Sequence, residues 1–108
     1  MATYRYLVIT KPVPGQEDEY NRWYTERHLP DVVAVPGMVA AQRFRVTGES
    51  NLPGSYLAIY ELETNDPAAV LAEVNARAGT DAMPLSPALD LANVTVALLE
   101  PITGRVVK

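Results

Sequence analysis

The sequence predicts an α+β fold, a four-stranded antiparallel sheet with two helices on one face in the order β-α-β-β-α-β. Three observations carry that prediction. Short runs rich in aromatic and β-branched residues alternate with two segments of helical period. The nine prolines are dispersed as punctuation between the periodic segments. The strands are apolar on both faces, which a sheet with one solvated face would not be. At 108 residues the chain is a single domain, 1–108. A chain this short buries only about 65% of its unfolded surface, so it can fill a core or enclose a cavity, but hardly both alone.

The first strand is residues 4–11, ended by Pro12-Val-Pro-Gly15. The period then becomes helical from Gln16 to His28, with Glu17, Asp18 and Glu19 in the first turn and Arg27 and His28 in the last, as the helix dipole favours. Gly15 is the expected N-cap. Tyr20, Trp23, Tyr24 and Arg27 share one sector of that helix, Asp18, Arg22 and Thr25 lie opposite, and His28 borders the aromatic stripe. Pro30 disfavours helical geometry at Leu29, so the helix is expected to stop at His28, leaving residues 31–35 room for one further turn before Pro36-Gly37. Strands over residues 38–47 and 55–62 follow, joined by a loop of turn-forming residues, 48–54. Asn65 or Asp66 caps a second helix that has Pro67 at its first position, Val70, Leu71, Val74 and Ala78 on one face, and Gly79 at its end. Residues 80–92 read as a loop with room for one short helix, residues 94–100 as the last strand, and the tail 101–108 as a candidate edge strand.

Split βαβ units with right-handed crossovers give the ferredoxin-like sandwich, with strand order 4-1-3-2. Both faces of each strand are substantially apolar: Tyr4, Tyr6 and Val8 against Leu7 and Ile9; Met38, Ala40, Phe44 and Val46 against Val39 and Ala41; Tyr56, Ala58, Tyr60 and Leu62 against Leu57 and Ile59; Val94, Val96 and Leu98 against Ala97 and Leu99. The helices cover one face only. A homodimer through the sheet faces is the economical cover for the other.

Composition excludes several classes of function. The formal charge of −4, with Lys11 and Lys108 the only lysines, leaves no basic stripe for nucleic acid. No apolar run approaches the roughly 18 residues of a membrane span, and the leading residues lack a signal-peptide profile; a soluble, cytoplasmic protein with no membrane partner is expected. The absence of cysteine removes disulfides, zinc–thiolate sites, iron–sulfur clusters and thiol nucleophiles. No Gly-rich phosphate loop, nucleophile elbow or cluster of metal-ligating residues is present, so neither a metal nor a cofactor is expected.

His28 is the only histidine and the only side chain whose ordinary titration lies near neutral pH. It is either a cation suited to a helix C-terminus or a functional base. Its place beside the aromatic stripe, and Pro30 just after it, favour the second. Asp31 is near enough to orient the imidazole, although capping the following turn is the preferred reading. Tyr4, Tyr6, Tyr56 and Tyr60 fall on even positions of two neighbouring strands, so cross-strand pairing puts them on one face, as an aromatic core or as a cavity wall. Four hydroxyls that need partners favour the wall. Tyr24 lies four residues before His28, within reach of it. Arg43 is a candidate for an anionic group or an interface carboxylate, Arg45 for a solvated edge. Trp23 with Arg27 at i,i+4 suggests stacking, and Met83 is read as a gap-filler ahead of a lid.

The segment Arg22-Trp-Tyr-Thr-Glu-Arg-His-Leu-Pro-Asp31, continued by Val35-Pro-Gly-Met38 and Ala41-Gln-Arg-Phe-Arg45, resembles the EthD-like branch of the dimeric α/β-barrel superfamily. The likeness runs from Tyr6 through residues 55–62 to Glu100. It implies two ferredoxin-like protomers whose sheets close into a barrel, with one cavity per subunit. It also maps the family's helix-end histidine onto His28 and its strand tyrosine onto Tyr60. The fold leaves the reaction open. The expectation is a cofactor-independent enzyme acting on a small apolar, aromatic or carbonyl compound by elimination, isomerisation or cyclisation. His28 is then the general acid/base, Tyr60 and Tyr24 bind an oxyanion, and Tyr6, Tyr56, Arg43 and Trp23 bind substrate. A cofactor-free quinone-forming monooxygenase and a non-catalytic ligand-binding accessory protein are the alternatives.

Overall fold

A computed structural model describes residues 1–108. Strands β1 (Ala2–Thr10), β2 (Met38–Arg45), β3 (Tyr56–Thr64) and β4 (Thr95–Leu99) form one antiparallel sheet in the order β2-β3-β1-β4. This is the ferredoxin-like α+β sandwich. Tyr6 pairs with Tyr60 and Val8 with Ala58, so the even residues of both central strands share the helix-covered face, where Tyr56, Ala58, Tyr60 and Leu62 are all buried.

The first helix corrects the expectation. α1 (Glu17–Trp23) passes without a break through a π-helical turn, Tyr24–His28, into α2 (Leu29–Val33); it does not stop at His28. A proline inside an α-helix lacks the N–H that would bond the i−4 carbonyl, and its ring collides with that carbonyl. The wider turn removes the conflict, because the Leu29 N–H reaches back five residues to the Tyr24 carbonyl and carries Pro30 out of α-helical register. The N-cap is Gln16, without a side-chain cap bond, and Gly15 makes the left-handed turn ahead of it at φ 83°. Asp31 caps nothing. Its carboxylate accepts from Arg27 Nε at 2.7 Å.

β2 carries a bulge between Met38 and Ala40. Beyond it Ala41, Arg43 and Arg45 oppose Tyr60, Ala58 and Tyr56, so both arginines turn to the helix side and Phe44 to the other, no longer sharing a face with Met38. Gly37 precedes the strand at φ 98°, and a Cβ there would lie 2.5 Å from Val70 Cγ2, so the close approach of α3 (Pro67–Arg77) needs glycine. The cap of α3 is Asp66, whose carboxylate accepts from the Ala69 N–H at 3.1 Å. A 3₁₀ turn, Leu91–Asn93, leads into β4. The tail 101–108 forms no strand, because Pro101 has no N–H with which to continue the ladder.

The far face of the sheet is covered only in part: Ile9, beside Gly54, is buried and Leu7, Leu57 and Ile59 are half-buried, whereas Phe44 is 40% and Leu99 44% exposed. An Arg5–Glu61 ion pair at 2.9 Å crosses the same face. No helix is long and apolar enough to cross a membrane.

Candidate active site

A cavity of about 290 Å³ lies between the helix side of the sheet and its covering segments. Tyr6 and Val8 of β1, Tyr60 of β3 and Val96 of β4 line it from the sheet. Tyr24, His28 and Val32 come from the first helix, Val74, Asn75 and Ala78 from α3 and its end, and Met83, Leu85, Leu89 and Leu91 from the loop that follows. No Lys, Arg, Asp or Glu lines it.

His28 is placed by the π-helical turn. Residues five apart on an α-helix point in different directions, yet the Trp23 and His28 rings stack with centroids 4.7 Å apart and planes 27° apart. The extra residue in the turn makes that possible. The Trp23 indole N–H donates to the Pro84 carbonyl at 3.0 Å, so one side chain holds both the imidazole and the loop over the cavity. The i,i+4 stack of Trp23 on Arg27 does not form; Arg27 bonds Asp31 and, at 2.9 Å, the Asp81 carbonyl. His28 Nδ1 is buried without a hydrogen-bond partner, a cost of about 1–3 kcal/mol for such an atom. Burial lowers the His28 pKa to about 4, against the opposing charge of Asp31. The imidazole is therefore neutral at pH 7.

Tyr24 presents its ring edge to His28, centroids 5.0 Å apart at 87°, and its hydroxyl lies 3.2 Å from that of Tyr60. Burial pushes Tyr24 up to about 12 and Tyr60 further still, so both are protonated phenols at neutral pH. A pair of hydroxyls holds two O–H protons. One closes the pair and the other is left for a ligand oxygen. Tyr6 packs on Tyr60 with centroids 6.3 Å apart, and burial raises its pKa as well.

The structure thus brings together His28, Tyr24, Tyr60 and Tyr6 and leaves Trp23, Tyr56 and Arg43 outside the lining. The Tyr56 hydroxyl donates to the Glu17 carboxylate and accepts from Asn21 Nδ2 at 3.2 Å. Arg43 stands behind the tyrosines, where with Asp18, Asn21, Thr25, Phe44, Arg45 and Tyr56 it lines a wider and more polar depression. That depression has neither an apolar wall nor a histidine. The loop residues Leu85 and Leu89, and Asn75 on α3, are lining residues that periodicity did not single out, because the prolines around Met83 break any repeat. Met83 itself is fully buried and closes the cavity.

No protein-family model and no curated protein matches the chain. Solved structures do. An ethyl tert-butyl ether D (EthD) family protein from Bacillus halodurans superposes at TM-score 0.65 over 93% of this chain and 99% of that one, with 15% identity. MhuD, a haem degrader from Mycobacterium tuberculosis, gives TM-score 0.64 over 93% and 96% at 16% identity. A variant of SnoaB, a cofactor-independent oxygenase from Streptomyces nogalater, gives TM-score 0.57 over 95% and 96% at 15% identity. The chain has the EthD-like, ferredoxin-like fold; at these identities the likeness is one of fold.

Proposed function

We propose that the protein is an enzyme of small-molecule metabolism that moves a proton on a neutral, largely apolar aromatic or carbonyl compound. His28 is its general acid/base, and Tyr60 and Tyr24 donate to the oxygen that becomes negative. One observation carries this reading: a neutral histidine, unpartnered at Nδ1, shares an uncharged cavity with a tyrosine pair that has one O–H to spare. A charged ligand entering the cavity would lose its hydration without gaining an ion partner. A neutral phenol or ketone loses little on entry, and after proton transfer its oxyanion and the new imidazolium stabilise each other. A placed acid/base contributes about 10²–10⁴-fold and an oxyanion donor about 10²–10³-fold. Trp23 acts by holding the imidazole, and Tyr6 packs against the substrate.

Elimination, isomerisation and cyclisation need no more than this proton transfer. A second reading is cofactor-free oxygenation, favoured by the fold likeness to SnoaB. The same base would make a phenolate or carbanion that gives its electrons to dioxygen, one oxygen atom becoming a carbonyl of the quinone and the other leaving as water. The residues do not fit a porphyrin, because no cation lines the cavity to meet its carboxylates.

The test is turnover of a panel of hydroquinones, aryl ketones and anthrones by the purified protein and by His28→Ala, with binding measured separately by calorimetry. The expected result is a loss of at least about 100-fold in kcat with binding retained. Equal turnover by both proteins removes His28 as the base, and binding without turnover in the wild type makes the protein a carrier. We also propose a homodimer through the far sheet face, where Phe44 and Leu99 are exposed; sedimentation at micromolar concentration is expected to give twice the chain mass, and a monomer would refute it.

A further inference from the structure

We propose that Arg43, which does not line the cavity, is a positioning residue that acts through Tyr24, stabilising the negative charge that reaches the Tyr24–Tyr60 hydroxyl pair when a substrate oxyanion binds there. The inference rests on the reading of that pair as oxyanion donors.

The guanidinium carbon of Arg43 lies 4.5 Å from the centre of the Tyr24 ring, 5.4 Å from that of Tyr20 and 5.5 Å from that of Tyr56. It is latched there by three donated hydrogen bonds, to Thr25 Oγ1 at 2.8 Å, Asn21 Oδ1 at 2.9 Å and the Asn21 carbonyl at 3.4 Å. All three acceptors are uncharged. The ion pairs of the chain engage Arg5, Arg22, Arg27 and Arg77, and none engages Arg43. A solvated arginine needs no such arrangement, and a structural one is ordinarily matched by a carboxylate.

This charge, with no ion-pair partner, belongs to the polar depression and not to the cavity, and meets the Tyr24 ring within the 6 Å range of a cation–π contact. A phenol ring draws a cation more strongly as its oxygen gains negative charge. Any charge passed from substrate to Tyr24 is therefore met by Arg43 across the ring, without a cation entering the apolar cavity. The other titratable groups around Tyr24 are Tyr20 on α1, Tyr60 on β3, Tyr6 on β1 and the neutral His28. Burial, with Tyr20 and Tyr6, raises the pKa of Tyr24; the Tyr60 hydrogen bond lowers it, and Arg43 is the only charged group acting to lower it.

The test places 3-fluorotyrosine at position 24 and follows its ionisation by ¹⁹F NMR in the wild-type, Arg43→Gln and Arg43→Lys backgrounds. Arg43→Gln is expected to raise the fluorotyrosine pKa by about one unit, at the low end of what a charge at this distance does, and Arg43→Lys by less than half of that. If Arg43→Gln does not fold, Thr25→Val loosens the latch while keeping the charge and is expected to move the pKa in the same direction by a smaller amount. An unchanged pKa in the folded variants, with only thermal stability lost, makes Arg43 a clamp between α1 and β2 and overturns the proposal. The titration needs no substrate. Turnover by His28→Ala tests the catalytic reading separately, so the two fail distinguishably.

Discussion

A histidine that stays neutral down to a pH of about 4 has consequences that an ordinary one lacks. In the unfolded chain His28 takes up its proton near 6.5 and in the folded chain near 4, so between those values the unfolded state holds more protons. Stability therefore rises with pH across that window. It is fully present above about 6.5 and falls by up to about 3 kcal/mol as the pH drops toward 4. His28→Phe keeps an aromatic ring against Trp23 and is expected to flatten this dependence in urea unfolding at pH 4.5 and 7.5; an unaltered slope would contradict it. The rate is expected to stay level down to about pH 5 and to fall only near 4, where an ordinary histidine base would lose activity near 6.5. His28 and Tyr24 were legible in the sequence because a sole histidine lies one turn after a tyrosine beside a proline. The placement of Arg43 and Tyr56 outside the cavity was not, because spacing along a strand says nothing about which side of a ring a guanidinium will occupy.

At the scale of elements, the π-helical turn decides the site. Trp23 and His28 are five residues apart, a separation that a regular helix does not bring together, so the sequence pattern offered Arg27 as the partner of Trp23 instead. Pro30 is what disfavours the regular helix, and its removal tests the link. Pro30→Ala is expected to let the segment relax toward an α-helix, with stability unchanged to within about 1 kcal/mol and at least about a tenfold loss of turnover. Full turnover in a folded Pro30→Ala would show that the turn is incidental. The bulge in β2 was equally invisible to alternation, since one extra residue reverses the face of every residue beyond it. Gly37 is sharper: both its left-handed φ and the nearness of Val70 forbid a side chain, so Gly37→Ala is expected to cost about 2 kcal/mol or more in chemical denaturation.

The whole molecule was the most legible level, because hydrophobic period, proline punctuation and element order fix a ferredoxin-like sandwich whichever residues carry the chemistry. The same patterns exposed a sheet with two apolar faces. The structure shows one face covered by the helices and the cavity loop except along β4, where Val96 and Leu98 are exposed, and the other face covered only in part. Placing a charge on that second face is expected to separate the subunits: Phe44→Glu should sediment as a monomer while retaining its circular dichroism, and a persistent dimer would send the interface elsewhere. The central claim is that the cavity moves a proton on a neutral ligand. It is tested most directly by following deuterium from D₂O into an enolisable aryl ketone such as 2-tetralone by NMR. The wild type is expected to accelerate the exchange and His28→Ala to return it to the rate in buffer; exchange equally fast with either protein would contradict the account.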